Sequence, residues 1–82
     1  MTKKIIIESW MVDEKRLSGN ELVCYAYVWN MTNGGDVEYT GGYASIAKAI
    51  GVTAPSVYNV LGKLRERGMV QYESLSAISV MR

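Results

Sequence analysis

Residues 43–68 have the sequence YASIAKAIGVTAPSVYNVLGKLRERG, and their spacing predicts two helices joined by a tight turn. Gly51 can adopt the left-handed backbone conformation that ends a helix. Val52 supplies an apolar side chain that seals the two helices against each other. Thr53 is expected to be the N-cap of the second helix, with a proline in its first turn, where proline costs least. This pattern predicts a helix-turn-helix unit over residues 43–67.

The second helix of this unit is expected to have two different faces. Its apolar side chains recur at helical spacing and predict a buried stripe formed by Val57, Val60, Leu61 and Leu64. Its opposite face carries mostly hydrogen-bonding groups, namely Ser56, Tyr58, Asn59 and Lys63. A face of this kind can enter the major groove of DNA and contact base edges.

Each polar candidate has both a functional and an ordinary structural interpretation. Asn59 can pair with adenine, or it is a solvated helix residue. Tyr58 can contact the sugar-phosphate backbone, or it is a half-buried core tyrosine. Thr53 is first an N-cap, and it can also touch a phosphate. Ser45 and Lys48 lie on the first helix of the unit, which crosses the DNA backbone in this geometry, so Lys48 is either a phosphate anchor or a solvated lysine.

The segment before this unit predicts one strand and one helix. Residues 4–12 are rich in β-branched and aromatic residues, which favours a short leading strand. Ser18 and Glu21 have the spacing of a capping box, and they predict a helix over residues 19–32. The sequence thus predicts three helices in all.

Glycine-rich turns and a hairpin complete the predicted architecture. Residues 33–35, Asn-Gly-Gly, tolerate positive φ and end the first helix. Residues 36–40 alternate in polarity and predict a brief strand or an extended linker. Two short extended runs within residues 69–82 predict a C-terminal β-hairpin. Together these elements predict a single α+β domain over residues 1–82.

Composition excludes most catalytic machinery. The 82 residues include no His and one Cys, so no Ser-His-Asp triad, Cys-His pair or Cys-rich zinc cluster can form. Because no paired carboxylates or nucleophile-base set is visible either, we expect no enzymatic activity, no cofactor and no metal. Residues 1–41 carry four basic and six acidic side chains, whereas residues 42–82 carry five basic and two acidic ones. The net charge of +3 on the second half suggests a polyanionic partner.

The N-terminal region bears on location and assembly. It contains no secretory signal, and no run approaches the roughly 18 apolar residues of a membrane span, so we expect a cytoplasmic protein with no membrane partner. Cys24 is then expected to be a reduced thiol in the core. Trp29 is expected to be a core residue as well. Residues 5–7, Ile-Ile-Ile, are apolar on both faces of the predicted strand and weakly suggest a homodimer formed through it.

Five motifs taken together resemble those of one known group of domains. They are LSGNEL at residues 17–22, YTGG at 39–42, IAKAIGV at 46–52, SVY at 56–58 and LGKLRERGMV at 61–70. The chain resembles a winged helix-turn-helix domain with three helices, a short N-terminal strand and the hairpin as its wing. It is most similar to the N-terminal domain of plasmid and phage replication initiators of Gram-positive bacteria, and more loosely to small winged-helix transcription regulators.

The resemblance implies binding of double-stranded DNA through the helix at residues 53–67, in replication initiation or transcription regulation. The positions matching the family's base-contacting surface are Thr53, Ala54, Ser56, Tyr58 and Asn59. The chain departs from strong binders because it has no arginine early in this helix for the bidentate guanine contact. This departure keeps an alternative open, in which the same fold is a protein-interaction or dimerisation module with weak or no DNA binding.

Overall fold

The computed structural model describes residues 5–82, which form a small α+β domain. These residues fold into four helices and one two-stranded antiparallel hairpin, within principal extents of 30 × 28 × 24 Å. In chain order the elements are α1 (Ser9–Asp13), α2 (Gly19–Met31), α3 (Tyr43–Ile50), α4 (Ala54–Glu66), β1 (Val70–Gln71) and β2 (Ser79–Val80). The predicted α+β class is confirmed, but the prediction of three helices is wrong.

The N-terminal segment is where the prediction fails. Of the strand predicted over residues 4–12, residue 4 lies outside the described residues, residues 5–8 have no regular structure, and the rest belongs to α1. The physical reason is that Trp10 and Met11 are neighbours in sequence and both buried. A strand would point them to opposite faces, whereas a helical turn brings both onto one core.

The first long helix follows its prediction closely. Helix α2 begins after the N-cap residue Ser18 and ends at Met31, one residue before the predicted end. The predicted capping box is wrong in its chemistry, because within the described residues the Ser18 hydroxyl caps no backbone N–H. The helix ends as expected, since Asn33 and the next two glycines have φ values of 54°, 72° and 93°. The residues that tolerate positive φ therefore lie where the chain reverses.

The core is built around α2, which packs against α3 and α4. Trp10 contacts two α2 aromatics edge-on, with ring centroids 5.9 Å from Tyr25 and 4.9 Å from the half-buried Trp29. Cys24 is fully buried and free, as expected of a core thiol. Helices α3 and α4 contribute side chains that are fully or almost fully buried, namely Ile46, Ala47, Val57, Leu61 and Leu64. Val60 of the predicted α4 stripe is half-buried.

The C-terminal hairpin is confirmed, with strands shorter than predicted. Val70 pairs with Val80 and Gln71 with Ser79 in antiparallel register. The linker at residues 36–40 joins this sheet by a single bridge between Tyr39 and Ile78. The Tyr25 hydroxyl donates a 2.6 Å hydrogen bond to the carbonyl of Met81. The residues on either side of β2 are thereby tied to the linker and to α2.

Among residues 5–82, no helix combines the length and apolar character needed to cross a bilayer.

Candidate nucleic-acid interface

The turn between α3 and α4 is three residues long and is closed by backbone hydrogen bonds. Gly51 has φ 78° and donates its N–H to the carbonyl of Ala47 at 2.9 Å. The N–H of Val52 donates to the same carbonyl at 3.0 Å. Gly51 therefore ends α3 in the left-handed conformation, as predicted. Val52 is half-buried, so the expectation that it is a buried pivot holds only in part.

The start of α4 differs from its prediction in one detail. Thr53 is the N-cap residue, and a proline occupies the first turn as expected. Among the described residues, however, the Thr53 hydroxyl caps no backbone N–H. It lies 2.8 Å from the hydroxyl of Ser56, and either oxygen can be the donor in this contact. The two hydroxyls therefore form one exposed hydrogen-bonding pair on the first turn.

The exposed face of α4 follows from helical geometry. Val57, Leu61 and Leu64 are buried against the core. At about 100° per residue, Pro55, Asn59, Gly62 and the exposed Glu66 lie on the opposite side of the helix. Ser56 and Lys63 flank this row on one side and Tyr58 flanks it on the other. We call the set Thr53, Pro55, Ser56, Tyr58, Asn59, Gly62 and Lys63 the outer face of α4. Glu66 adds a negative charge at the C-terminal end of this face.

Tyr58 is the large aromatic residue of the outer face. Its side chain is 57% exposed, so it is no core residue. Its ring lies 5.9 Å from the ring of Tyr43 at an interplanar angle of 68°, an edge-to-face contact between α4 and α3. The exposed ring of Tyr58 is therefore supported from the neighbouring helix.

Ala54, which the resemblance also implied as a contact, is half-buried and lies toward the core side of the first turn of α4.

The basic side chains divide into engaged and free ones. Arg67 pairs with Glu21 at 3.4 Å and donates to the backbone carbonyl of Lys15. Arg65 lies over the ring of Tyr72, 4.8 Å from its centroid.

By contrast, two exposed lysines have no partner within the part of the chain that the structure describes. These are Lys48 on α3 and Lys63 on α4. They are the cations of this region that remain available to a phosphate group.

Ser45 stands apart from the outer face of α4. It lies beside Tyr39 and Tyr27 at the edge of a hollow next to α2. Burial raises the pKa of Tyr39 to about 12, an effect that Tyr27 adds to and the Ser45 hydroxyl opposes. Ser45 is two positions after Tyr43, or about 200° around the helix, so Ser45 faces away from Tyr58. Its contact with DNA stays a prediction.

Most of the residues predicted to contact DNA therefore lie together on the outer face of α4, and two further residues, Pro55 and Gly62, lie there as well. Pro55 was predicted only as a first-turn proline and Gly62 had no predicted role, yet both lie in the middle of the outer face. A Cβ at Gly62 would meet no atom within 4 Å, so packing does not require glycine there. A glycine inside a helix costs about 1 kcal/mol relative to alanine, and that cost was the signal available in the sequence.

Comparison with known proteins adds no assignment. The sequence matches no protein-family model and no curated protein. Function has to be inferred from the geometry and chemistry of the chain itself. In the described residues, no group of three or more His, Cys, Asp or Glu side chains could hold a metal ion.

Proposed function

We propose that this chain binds double-stranded DNA, with α3 and α4 as a helix-turn-helix and α4 in the major groove. The proposed role is regulatory, in replication initiation or transcription, without catalysis. The hairpin that follows α4 would be the wing of a winged helix-turn-helix domain. In this geometry the N-terminal residues of the second helix contact base edges, while the first helix crosses the backbone.

The observation that carries the proposal is the outer face of α4. Asn59 and Tyr58 are exposed and polar at their tips, and the Thr53–Ser56 hydroxyl pair adds a donor and acceptor site on the first turn. A polar solvent face is usual for an amphipathic helix, and on α4 most of these polar groups are uncharged and can both donate and accept hydrogen bonds. Base edges in the major groove present the complementary donors and acceptors.

Two features of charge support the same geometry. Lys48 and Lys63 lie on the two helices of the unit, are exposed, and are free to neutralise phosphates. Phosphate neutralisation supplies much of the affinity of DNA-binding proteins. The hairpin contributes little positive charge, since its exposed residues include Gln71 and Glu73. We therefore expect modest affinity and a small salt dependence.

Selection from a randomised duplex pool tests this proposal. Binding is followed by fluorescence anisotropy at two salt concentrations, and the bound fraction is sequenced. The proposal predicts salt-dependent binding and an enriched motif. An absence of binding at low salt would contradict it.

A second candidate function is protein interaction or homodimerisation through the N-terminal segment. It is favoured by the exposure of three aliphatic side chains near α1, since Ile6, Ile7 and Val12 are 57%, 46% and 43% exposed. Adjacent exposed aliphatic residues are typical of interaction sites. Sedimentation equilibrium of the native chain and of Ile7→Glu tests this alternative. A monomer in both cases would exclude the homodimer, whereas a dimer that dissociates in Ile7→Glu would support it.

The two candidate functions are compatible if the dimer is two-fold. Such a dimer would present two copies of α4 to successive major grooves, about 34 Å apart. The motif enriched from the pool would then be palindromic. A single, non-repeated motif would indicate that the chain binds DNA as a monomer.

A further inference from the structure

We propose that the outer face of α4 selects A·T base pairs through the major groove. This inference rests on the proposed function, since it names the DNA sequence class that the same site would recognise. Three features carry it: an exposed carboxamide, an apolar surface on the first turn, and the absence of a free arginine on the outer face among the described residues.

The carboxamide of Asn59 has the donor and acceptor arrangement that matches adenine. An asparagine side chain can accept from the adenine N6 amino group and donate to N7, both of which lie in the major groove. Asn59 is exposed, lies in the central row of the outer face, and has no hydrogen-bond partner within the described residues. Its amide is therefore free to make this bidentate contact.

The first turn of α4 offers apolar groups suited to thymine. Because the Thr53 hydroxyl is hydrogen-bonded to Ser56, the methyl group is the other group that Thr53 presents. The ring of Pro55 is exposed beside it. The C5 methyl of thymine projects into the major groove and is recognised by apolar contact, including contact with threonine methyl groups.

Guanine recognition has no comparable group on this face. Guanine O6 and N7 are most often contacted by arginine or lysine. Arg65 lies over Tyr72 and Arg67 is held by Glu21, so both guanidinium groups are engaged elsewhere. Lys63 lies one turn beyond Asn59, about 6 Å further along the helix axis, and is the member of the outer face furthest from the first turn. It makes a single cationic contact and lacks the paired donors of an arginine for guanine.

Three duplexes of equal length separate the modes of recognition. Alternating A·T, inosine·cytosine and G·C duplexes are compared by anisotropy at one salt concentration. Inosine·cytosine has the major-groove pattern of G·C but, like A·T, lacks the guanine amino group in the minor groove. We expect the A·T duplex to bind at least about tenfold more tightly than the other two.

Each other outcome has a defined meaning. Equal affinity for A·T and inosine·cytosine would overturn the inference, because the major groove would not be what is recognised. Equal affinity for all three duplexes would overturn the inference. The proposed function would remain, because the chain would then bind DNA through its phosphates alone. An absence of salt-dependent binding to any duplex would remove the proposed function itself.

Single substitutions test which residues produce the preference for A·T duplexes. Asn59→Ala is expected to abolish the preference for A·T, whereas Asn20→Ala, an exposed asparagine on α2, is expected to retain it. Replacing thymine by uracil removes the C5 methyl and is expected to weaken binding of the native chain. Thr53→Ser keeps the hydroxyl pair but loses the methyl group. This variant should therefore bind the thymine duplex and the uracil duplex equally. Additive effects of the two methyl deletions would show that they are not in contact and would overturn the role of Thr53.

Discussion

The rings of Tyr43 and Tyr58 meet edge-to-face at 5.9 Å and join the two helices of the candidate interface. Tyr58 is largely exposed, whereas Tyr43 on the neighbouring helix is half-buried. The contact with Tyr43 therefore restricts the movement of the Tyr58 side chain. A held aromatic ring loses less conformational entropy when it contacts a partner. The same contact is one of those that pack α3 against α4.

Replacing Tyr43 by leucine tests this support. We expect the free energy of unfolding to fall by about 1 kcal/mol, the size of an aromatic pair contribution, and duplex binding to weaken. The matched control is Tyr27→Leu, because Tyr27 makes a similar 5.9 Å contact with Tyr39 away from α4. Denaturant unfolding and anisotropy are measured on both variants. Native duplex affinity in Tyr43→Leu would show that the contact has no role in binding.

Gly62 is expected to lower the stability of α4 while leaving space for DNA to approach this helix. Gly62→Ala should raise the free energy of unfolding by about 1 kcal/mol, since alanine is the better helix former and its Cβ meets open space. The same methyl group should weaken duplex binding, because Gly62 lies in the central row of the face that is proposed to meet DNA. Gly51→Ala is the contrasting control and should destabilise, since φ is 78° there. Unchanged duplex affinity in Gly62→Ala would argue that this part of α4 does not approach DNA.

The two free lysines are expected to contribute to affinity without contributing to specificity. Lys48→Ala and Lys63→Ala should each weaken binding to all duplexes alike and reduce the slope of log K against log salt by about 0.9. Arg67→Gln removes the same charge from a residue paired with Glu21, so it should leave the slope unchanged and lower stability by less than about 1 kcal/mol. A slope change in Arg67→Gln as large as in Lys63→Ala would contradict this division.

Alkaline pH is expected to destabilise the fold through three buried groups, Cys24, Tyr25 and Tyr39, the last of which has its pKa raised to about 12 as described above. Burial raises the pKa of Cys24 from 9.0 to about 12 and that of Tyr25 from 10.0 to about 12. Well below pH 9 all three groups are neutral in the folded and unfolded chain, so stability there is unaffected by them. As the pH rises from about 9 to about 12 the unfolded chain loses these protons first, and the free energy of unfolding falls.

Thermal unfolding as a function of pH measures this effect. In Cys24→Ala the decline should begin about one pH unit higher, near the ordinary pKa of tyrosine. The thiol of the native chain should also react with a disulfide reagent far more slowly than that of the denatured chain. Equal reaction rates in the two states would contradict the burial of Cys24.

The sequence predicted the elements whose local signals agree with their packing. Gly51 and the apolar stripe of α4 each specify one local structure, and the tertiary contacts reinforce it. The N-terminal segment was mispredicted because β-branched residues favour a strand, while the burial of Trp10 and Met11 against α2 overrides that preference. Neither the engagement of Arg67 with Glu21 nor the Tyr43–Tyr58 contact could be predicted, because both depend on how distant segments meet.

Much of the candidate site follows from helical periodicity alone, and the remainder depends on side-chain partners. Periodicity placed Asn59 and Lys63 on one face, as found. It could not reveal that the Thr53 hydroxyl bonds to Ser56, since an N-cap threonine usually bonds to a backbone N–H.

The most direct test of sequence recognition by α4 is the binding of Asn59→Ala to two duplexes. One carries the motif selected by the native chain and the other is a scrambled sequence of the same composition. Anisotropy should show a loss of about 1–3 kcal/mol on the selected duplex and almost none on the scrambled one, as expected for a lost base contact. Equal losses on both duplexes would contradict the claim that α4 recognises base sequence.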